Sequence, residues 1–412
     1  MTGQIARIQE TTVPAVVLNC KLGALSIMRS LGSQGIEVYG VDADPRSPGM
    51  LSRYCKGRFF HELDEADPGR FLQDLLNVGE KIGRPAVLIP TSDETAVFAA
   101  EHAEALSSRF IFPKNPAGLM RELISKKGMY GLVAKHGVPT PLTLFPERLS
   151  DVEESLDKIK FPLMLKGIYG NRLQARNKRK MVVVHSMREL IEQYKEMEEP
   201  GFPNLMLQEY IPGGDDQIFI FNGYFDRSSD CPIGFTGFKI RQFPIHVGCA
   251  SLGECRWNQK VAGMTIEFMQ AIEYRGILDI GYRFDPRDGQ YKVLDINPRV
   301  GQAFRLFVAE NEMDVVKALY LDLTGQKQLV AIPREGRRWV IEDFDLISSF
   351  DYYGEGTLTF HEWLRSFSGV EEAAWFNWKD PLPFFRMVSR LVRMAARRLL
   401  KALGLPTVSS AR

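Results

Sequence analysis

Two side chains that could bind a metal ion lie two residues apart near the end of an apolar segment, residues 293–299. They are Asp295 and Asn297, and residues with this spacing in a β-strand lie on one face. Two oxygen ligands on one face suit Mg²⁺. Asn-Pro then ends the strand, and Arg299 adds a planar cation that fits phosphate or carboxylate. The motif is also compatible with an ordinary strand end, so the rest of the chain must decide between these interpretations.

Two more charged residues are placed to bind an anionic, hydroxyl-bearing ligand. Lys166 ends the apolar segment 161–166 and precedes Gly167 and a basic stretch. A lysine at a strand end beside a glycine-bearing loop can bind an anion, although alone it is more often a solvated edge charge. Asp216 follows a strand that breaks at Pro-Gly-Gly. Free backbone groups at such a break could pair with a flat heterocycle, and the carboxylate could accept hydrogen bonds from hydroxyls.

The elements that position these residues begin with an α/β pattern at the N-terminus. Residues 14–45 predict a strand, a glycine turn, a helix and a second strand, and residues 86–94 predict another strand followed by a capped helix. This is the opening of a doubly wound α/β domain. No GxGxxG follows the first strand, which argues against a dinucleotide site.

The composition excludes several classes of protein. The 412 residues suffice for two or three domains, and 52 basic residues balance 51 acidic ones, so no bulk charge indicates nucleic acid. The five cysteines form no CxxC pair and are predicted to be free thiols in a reducing compartment. No signal segment is evident, and no run approaches the roughly 20 apolar residues of a spanning helix. We therefore expect a cytoplasmic protein.

The order of five segments resembles the ATP-grasp superfamily, in particular its carboxylate–amine ligase branch, over residues 14–330. The segments are a helix lysine followed by Gly-Val-Pro-Thr-Pro, a strand lysine, Gln-Glu-Tyr-Ile-Pro-Gly-Gly-Asp, Lys-Ile-Arg-Gln and Leu-Asp-Ile-Asn-Pro-Arg. Each segment alone is a weak signal, and their order makes the resemblance specific. It implies an N-terminal doubly wound parallel-sheet domain (1–113), an ATP-grasp domain of two α+β subdomains (114–330), a C-terminal extension (331–383) and a basic amphipathic helix with a tail (384–412).

The resemblance also implies roles for individual residues around Mg²⁺ and ATP, with Mn²⁺ as an alternative ion. Lys126, Lys166 and Lys180 are predicted to contact the nucleotide, with Lys127 as an alternative to Lys126. Asp295 and Asn297 match the metal ligands. The remaining predicted residues are the adenine hinge Gln208, Glu209, Tyr210 and Ile211, with Glu209 on the adenine amino group, the ribose-binding Asp216, and the catalytic cations Lys239, Arg241 and Arg299.

Two departures from the family pattern affect this assignment. The loop between Gly167 and Met181 is expected to be flexible, but it is rich in arginine and lysine rather than glycine, so among its residues only Lys180 is a candidate for the phosphates. The usual first metal carboxylate falls at Gly281. Asp279 lies two residues earlier, on the same face of the predicted strand, and is our candidate replacement; otherwise the metal site depends on Asp295.

A member of this branch transfers the γ-phosphoryl group of ATP to a substrate carboxylate, and an amine then displaces phosphate. The resemblance therefore implies small-molecule carboxylate and amine substrates. Two alternatives stay open. One is a nucleotide-binding regulatory or scaffold protein with little or no turnover, and the other is an ATP-grasp enzyme whose product is not an amide.

The C-terminal segment has a different character. A strand is predicted at 337–343 and a short capped helix at 357–364, and no function can be assigned to them. Residues 384–403 predict an amphipathic helix with six basic side chains. Such a helix could lie on the inner, anionic membrane surface as a peripheral contact. It could instead pack on the protein or on a homodimer partner with its basic side in solvent, and this interpretation is somewhat favoured.

Overall fold

The N-terminal part of the chain is a parallel sheet with helices. The computed structural model describes residues 7–154, 160–179 and 181–402. The sheet has the order β3-β2-β1-β4-β5, and all its pairs are parallel. The predicted doubly wound domain is thus confirmed. Its elements are β1 (Ala15–Leu18), α1 (Leu22–Gly32), β2 (Val38–Val41), β3 (Cys55–Phe59), α2 (Pro68–Ile82), β4 (Ala86–Pro90), α3 (Asp93–Glu101), α4 (Ala103–Leu106) and β5 (Phe110–Ile111).

Local sequence explains how this domain is built. The strands β1 and β4 are continuous runs of apolar residues, as expected for parallel strands that are covered on both faces. Helix α3 begins with a capping box, in which Ser92 accepts from the backbone N–H of Thr95 and Thr95 interacts with the backbone of Ser92. The cap fixes Asp93 as the first residue of α3, just beyond the carboxyl end of β4.

A four-stranded antiparallel sheet follows, in the order β6-β9-β7-β8. Its core contains Leu163, Leu165 and Leu207 from the strands and Leu190 from a helix. The elements of this part are α5 (Leu119–Ile124), α6 (Lys126–Lys135), β6 (Thr143–Leu144), α7 (Leu149–Glu154), β7 (Leu163–Gly167), α8 (Gly170–Asn177), β8 (Met181–Val184), α9 (Met187–Met197) and β9 (Leu205–Glu209).

The segment expected to be a flexible loop contains a helix, α8. Leu173 of this helix is buried in the core of the four-stranded sheet, and Arg172 forms an ion pair with Glu199 at 2.6 Å. Arg176 donates to the backbone carbonyl of Met197 at 3.5 Å. The sequence predicted a flexible loop here, whereas contacts with residues near the end of α9 hold the segment in a helical conformation.

The third sheet has seven strands in the order β14-β13-β10-β11-β12-β15-β16. The first five strands pair antiparallel, and β15 and β16 extend the sheet beyond β12. Its elements are β10 (Ile218–Phe225), β11 (Ile233–Phe243), β12 (Cys249–Cys255), α10 (Gln259–Ala271), β13 (Gly276–Asp285), β14 (Gln290–Asn297), α11 (Val315–Leu323), β15 (Arg338–Val340), α12 (Glu342–Gly354), α13 (Phe360–Ser366), β16 (Val370–Ala373) and α14 (Leu382–Ala402).

One hydrophobic core joins the first and third sheets. It contains Val17 of β1, Leu25 of α1, Phe235 of β11, Leu319 of α11 and Trp339 of β15. The proposed division at residues 113, 330 and 383 stays a prediction, and strands on both sides of residue 330 share the seven-stranded sheet. No helix among the described residues is long and apolar enough to cross a membrane.

Candidate functional site

The candidate site lies where α6 and β7 meet the end of β14. The ammonium group of Lys126, the first residue of α6, contacts the Asp295 carboxylate. Ser125 caps α6 by accepting from the backbone N–H of Gly128 at 3.3 Å, which fixes the start of the helix. Lys166 occupies the fourth position of β7, close enough for the charges of Lys126 and Asp295 to affect its pKa. Lys127 is exposed, whereas Lys126 contacts Asp295, which favours Lys126 of the two.

The register of β13 against β14 places the predicted metal ligands side by side. Asp279 is opposite Asn297, and Gly281 is opposite Asp295. Asp279 is therefore a cross-strand neighbour of one predicted ligand, whereas no side chain faces Asp295 from β13. Gly301 packs closely on Asp279, because a Cβ at this glycine would overlap the Asp279 carboxylate.

Arg299 connects this strand end to the N-terminal domain. Its Nε lies 2.6 Å from Oδ1 of Asp93, and its Nη2 donates to Oδ1 of Asn297 at 3.0 Å. Because Asp93 is the first residue of α3, the parallel sheet contributes directly to the position of the guanidinium. Asp93 was read from sequence only as part of a helix cap, and its role at Arg299 was missed.

Burial and neighbouring charges shift the pKa values of the site residues in different directions. Burial lowers the pKa of Lys166 to about 7, and the charge of Lys126 adds to this effect while Asp295 opposes it. Burial raises the pKa of Asp279 to about 6, against the effects of Arg299 and Lys239. Burial acts in the same direction on Asp295, but Lys126, followed by Lys166 and Arg299, keeps the pKa of Asp295 below its ordinary value. Asp295 is thus the anionic centre of the cluster.

Lys239 also belongs to this cluster. It is held by the carbonyl of Gly248 at 2.8 Å and by Oε1 of Gln242 at 3.2 Å. Burial lowers the pKa of Lys239, and Asp279 and Asp295 are among the groups whose charges oppose that shift. The ammonium group is therefore close to both carboxylates.

Arg241, the other predicted catalytic cation of β11, lies elsewhere in this structure. Its guanidinium binds Asp345 of α12 through two contacts, 2.8 and 2.9 Å, and both side chains are buried. A further bond of 2.8 Å goes to Ser366. The register of β11 against β12 is irregular on both sides of Arg241, and such irregularities re-aim side chains. The structure therefore brings Lys239 to the cluster and does not bring Arg241 there.

The predicted adenine hinge is at the end of β9, and two of its four side chains, Gln208 and Glu209, are already engaged. Gln208 is buried and donates to Tyr130 at 2.7 Å. The Glu209 carboxylate lies 2.6 Å from Arg287 and 3.4 Å from Lys292. A carboxylate held in this way fixes the strand end and is not free for the adenine amino group. Ile211 is buried, Tyr210 is half-buried and Asp216 is exposed, while Lys180 lies outside the described residues.

Asn222 is a site neighbour that sequence reasoning missed. It lies opposite Asp279 on β10, is fully buried and donates to the carbonyl of Leu278 at 3.2 Å. Its Oδ1 has no hydrogen-bond partner among the described residues. The available signal was a single amide in the otherwise apolar strand Ile218–Phe225.

The donor set suits a hard cation. Asp295 and Asn297 supply a carboxylate and an amide oxygen, and Asp279 adds a carboxylate beside Asn297. The Asp295 carboxylate already contacts a cation, the Lys126 ammonium. The described residues contain no group of three or more histidine, cysteine or acidic side chains that could hold a metal. A metal here would therefore be held by the two carboxylates and the Asn297 amide, together with groups of the bound ligand.

Comparison with known proteins gives one relative by sequence and many by structure. No family model matches the sequence. A D-aspartate ligase from Enterococcus faecium is 27% identical over 256 residues, which cover 59% of this chain; the match spans 60% of the length of that ligase. An N5-carboxyaminoimidazole synthetase from Staphylococcus aureus in complex with ADP has a TM-score of 0.62 at 12% identity, covering 81% of this chain and 83% of that one. An L-amino acid ligase from Bacillus licheniformis has a TM-score of 0.57 at 15% identity, covering 79% and 76%.

The chain has the ATP-grasp fold that the order of its motifs predicted. Because the sequence identities of the solved structures to this chain are low, these structures establish the fold alone. Within the ATP-grasp fold, the cluster around Asp295 lies at the junction of the four-stranded and seven-stranded sheets. The roles of the individual residues stay predictions.

Proposed function

We propose that the protein is an ATP-dependent ligase that activates a carboxylate as an acyl phosphate for attack by an amine. A carboxylate needs this activation because it is an anion with a poor leaving group. The observation that carries the proposal is the set of four cations, Lys126, Lys166, Lys239 and Arg299, gathered around Asp295 at the junction of two sheets. Phosphoryl transfer depends mainly on positioning and charge neutralisation.

The lysines are proposed to act on the phosphates of ATP. Lys166 has a pKa of about 7, so a nearby triphosphate would favour its charged form. Lys126 contacts Asp295 and would exchange that contact for nucleotide. Lys239 is held by backbone and amide oxygens, which orients its ammonium group before ligand arrives. Arg299 is held between Asp93 and Asn297 and would neutralise the transferred phosphoryl group.

Asp295 and Asn297 would hold Mg²⁺, or Mn²⁺ as an alternative, with Asp279 as the third protein ligand. When bound, the ion neutralises charge on the phosphate oxygens. Binding would also favour ionised Asp279, whose pKa is raised to about 6 by burial. We place adenine at the hinge Gln208–Glu209–Tyr210–Ile211 and ribose at Asp216. We assign the adenine contact to backbone groups of the hinge rather than to the Glu209 carboxylate, because that carboxylate binds Arg287 and Lys292.

We propose small-molecule substrates, with amino acids as the first carboxylates to test. The similar protein from Enterococcus faecium is named a D-aspartate ligase, and this suggests D- and L-aspartate as starting compounds. A matrix of carboxylates and amines, scored by release of ADP and phosphate, tests the proposal. ADP release that requires one carboxylate and one amine together, with an amide product detected by mass spectrometry, supports it. Nucleotide hydrolysis that is indifferent to both substrates argues against it.

A regulatory or scaffold protein that binds nucleotide without turnover is the second candidate. One observation favours it: Gly281 faces Asp295 where a ligand carboxylate would complete the metal site. This candidate predicts nucleotide binding without ADP release for any pair of substrates. A third candidate, an ATP-grasp enzyme with another phosphoryl-transfer product, predicts ADP release without an amide.

The remaining proposals concern partners and location. We propose that the protein acts in the cytoplasm. We also propose that it has no nucleic-acid partner, because its 52 basic and 51 acidic residues nearly cancel. In the alternative, a second copy of the chain covers the C-terminal helix in a homodimer. The molar mass of the protein in solution, measured by light scattering, distinguishes a monomer from a dimer.

A further inference from the structure

The C-terminal helix α14 presents three different sectors along its length. At 100° per residue, Phe384, Met387, Val388 and Leu391 share one side, and all four pack on the main hydrophobic core. This sector anchors the first half of the helix to the protein. The sequence interpretation in which the helix packs on the protein therefore holds for one side only.

A second sector of α14 is apolar and exposed to solvent. Phe385, Val392 and Leu399 recur every seven residues, which places them on nearly the same side of the helix. Their exposed fractions are 62%, 61% and 62%. The stripe is about 21 Å long at 1.5 Å per residue. Such a regular row of exposed large apolar side chains indicates a surface that binds something.

The third sector is basic and borders the free apolar stripe. Arg386, Arg390, Arg393 and Arg397 are exposed on it. Among the described side chains of the helix, only Arg390 forms an ion pair, with Asp343 at 2.5 Å. The helix contains six of the 52 basic residues of the chain and none of its acidic ones. A surface with this charge selects an anionic partner.

An exposed tryptophan lies beside the start of the helix. Trp378 is 86% exposed, and its ring contacts Phe376, which in turn contacts Phe384 of α14. Tryptophan is enriched where protein meets the membrane–water interface. An apolar stripe, an adjacent row of arginines and a free tryptophan are together the features of a helix that lies in the plane of an anionic lipid surface.

We propose that the free side of α14, with Trp378, is a peripheral docking surface for a membrane rich in anionic phospholipid. The apolar stripe would enter the boundary between headgroups and acyl chains, and the arginines would bind the headgroup phosphates. A protein partner would need its own acidic face, whereas an anionic membrane supplies charge along the whole length of the helix. This proposal is independent of the proposed ligase activity, because binding to lipid needs neither ATP nor turnover.

Vesicle flotation of the full-length protein tests the proposal. Vesicles of phosphatidylcholine alone are compared with vesicles containing 30 mol per cent phosphatidylglycerol, a composition of about one anionic lipid in three. We expect binding to the anionic vesicles only, and we expect it to fall with added salt because surface charges are screened. Point substitutions are preferable to truncation, because one sector of α14 belongs to the core.

Two double variants separate the contributions to binding. Arg393→Gln with Arg397→Gln should reduce binding to anionic vesicles about tenfold or more, and Val392→Ser with Leu399→Ser should reduce it at every salt concentration. The matched control is Arg70→Gln with Lys81→Gln, which removes two exposed charges from α2 and should bind as the unmodified protein does. Unchanged thermal unfolding of each variant shows that the fold is intact.

Two results would overturn the proposal. One is absence of flotation with anionic vesicles at low salt. The other is a molar mass that halves in the Val392→Ser, Leu399→Ser variant without any binding to vesicles, which would identify the stripe as the contact between two copies of the chain.

Discussion

Asp295 is the residue on which the catalytic proposal depends most. It is the ionised centre of the cluster, and four cations lie around it. The motif that contains it was visible in the sequence as Asp-x-Asn-Pro-Arg, because strand alternation places Asp295 and Asn297 on one face. The contacts that define its surroundings, from Lys126 and from Asp93 through Arg299, join segments 169 and 206 residues apart. The local sequence pattern contains no information on contacts between residues so far apart in the chain.

Replacing Asp295 by asparagine should abolish most turnover and leave the fold intact. Loss of the carboxylate would weaken the metal at the phosphates, and we expect ADP release with the best substrate pair to fall by on the order of 10²-fold or more. Steady-state kinetics and thermal unfolding measure the two effects. Asp288→Asn, in the turn between β13 and β14, is the control and should retain activity. Full activity of Asp295→Asn would remove this residue from the site.

Arg241 shows where spacing alone is insufficient. Lys239 and Arg241 are two residues apart and were expected to face the transferred phosphate together. The irregular register of β11, and the presence of Asp345 on α12, which lies 104 residues further along the chain, place the guanidinium in a buried ion pair. A catalytic role for Arg241 stays a prediction, and it requires the guanidinium to leave Asp345.

Arg241→Ala should therefore act mainly on stability. It leaves the buried Asp345 carboxylate without its partner, which typically costs about 3–5 kcal/mol of unfolding free energy. Chemical denaturation measures this cost. The control Arg188→Ala breaks an exposed pair with Glu192 and should change the unfolding free energy by about 0.5 kcal/mol or less. A stable Arg241→Ala protein without turnover would instead support contact with the phosphate.

At the scale of elements, the contact between the β11–β12 loop and α12 contains a titratable group. His246 lies in this loop, 3.2 Å from Asp215 and 2.9 Å from Glu355 just beyond α12. Partial burial lowers the pKa of His246, but the hydrogen bonds with Glu355 and Asp215 outweigh this effect, so the pKa is raised above 6.5. The charged imidazole therefore holds the loop, a 3₁₀ turn at Asp215–Gln217 and α12 together.

The stabilising effect of His246 should depend on pH. Because its pKa is higher in the folded state than in the unfolded state, the contribution is fully present below pH of about 6.5 and is lost as pH rises through the folded value. His246 is 48% exposed, so the effect should not exceed about 1 kcal/mol. We expect the stability difference between the unmodified protein and His246→Gln to be larger at pH 5.5 than at pH 8.5. Equal stability differences at the two pH values would show that the contacts of His246 do not depend on its charge. The control is His185→Gln, because His185 is exposed.

Elements were predictable where local chemistry determines them. The strands at β1, β4 and β8 and the capped helices α3 and α13 follow from apolar runs and capping residues. Helix α8 was not predicted, because its stability depends on packing of Leu173 and on ion pairs with the end of α9. The orientation of α14 also could not be predicted, since the amphipathic pattern does not determine which part of the apolar face packs on the protein.

For the whole molecule, the fold was predictable from the order of motifs. The contacts between segments far apart in the chain were not predictable. The buried ion pair between Arg29 of α1 and Asp380, at 3.0 Å, joins the N-terminal domain to the segment before α14. Arg29 also donates to the carbonyls of Ala374 and Trp375. These residues are about 350 positions apart, so only the folded structure reveals that the C-terminal segment closes over the first helix.

ATP is proposed to bind at the junction formed by α6, β7 and β14. Calorimetric titration of ATP with Mg²⁺ into the unmodified protein and into Lys126→Ala, Lys127→Ala and Lys166→Ala tests it most directly. Lys127 is the matched control, because it neighbours Lys126 on the same helix but is exposed. We predict measurable binding to the unmodified protein, at least about tenfold weaker binding to the Lys126 and Lys166 variants because each loses a charge-assisted contact to phosphate, and unchanged binding to the Lys127 variant. Equal affinities for all four proteins, or no binding to the unmodified protein, would contradict the account.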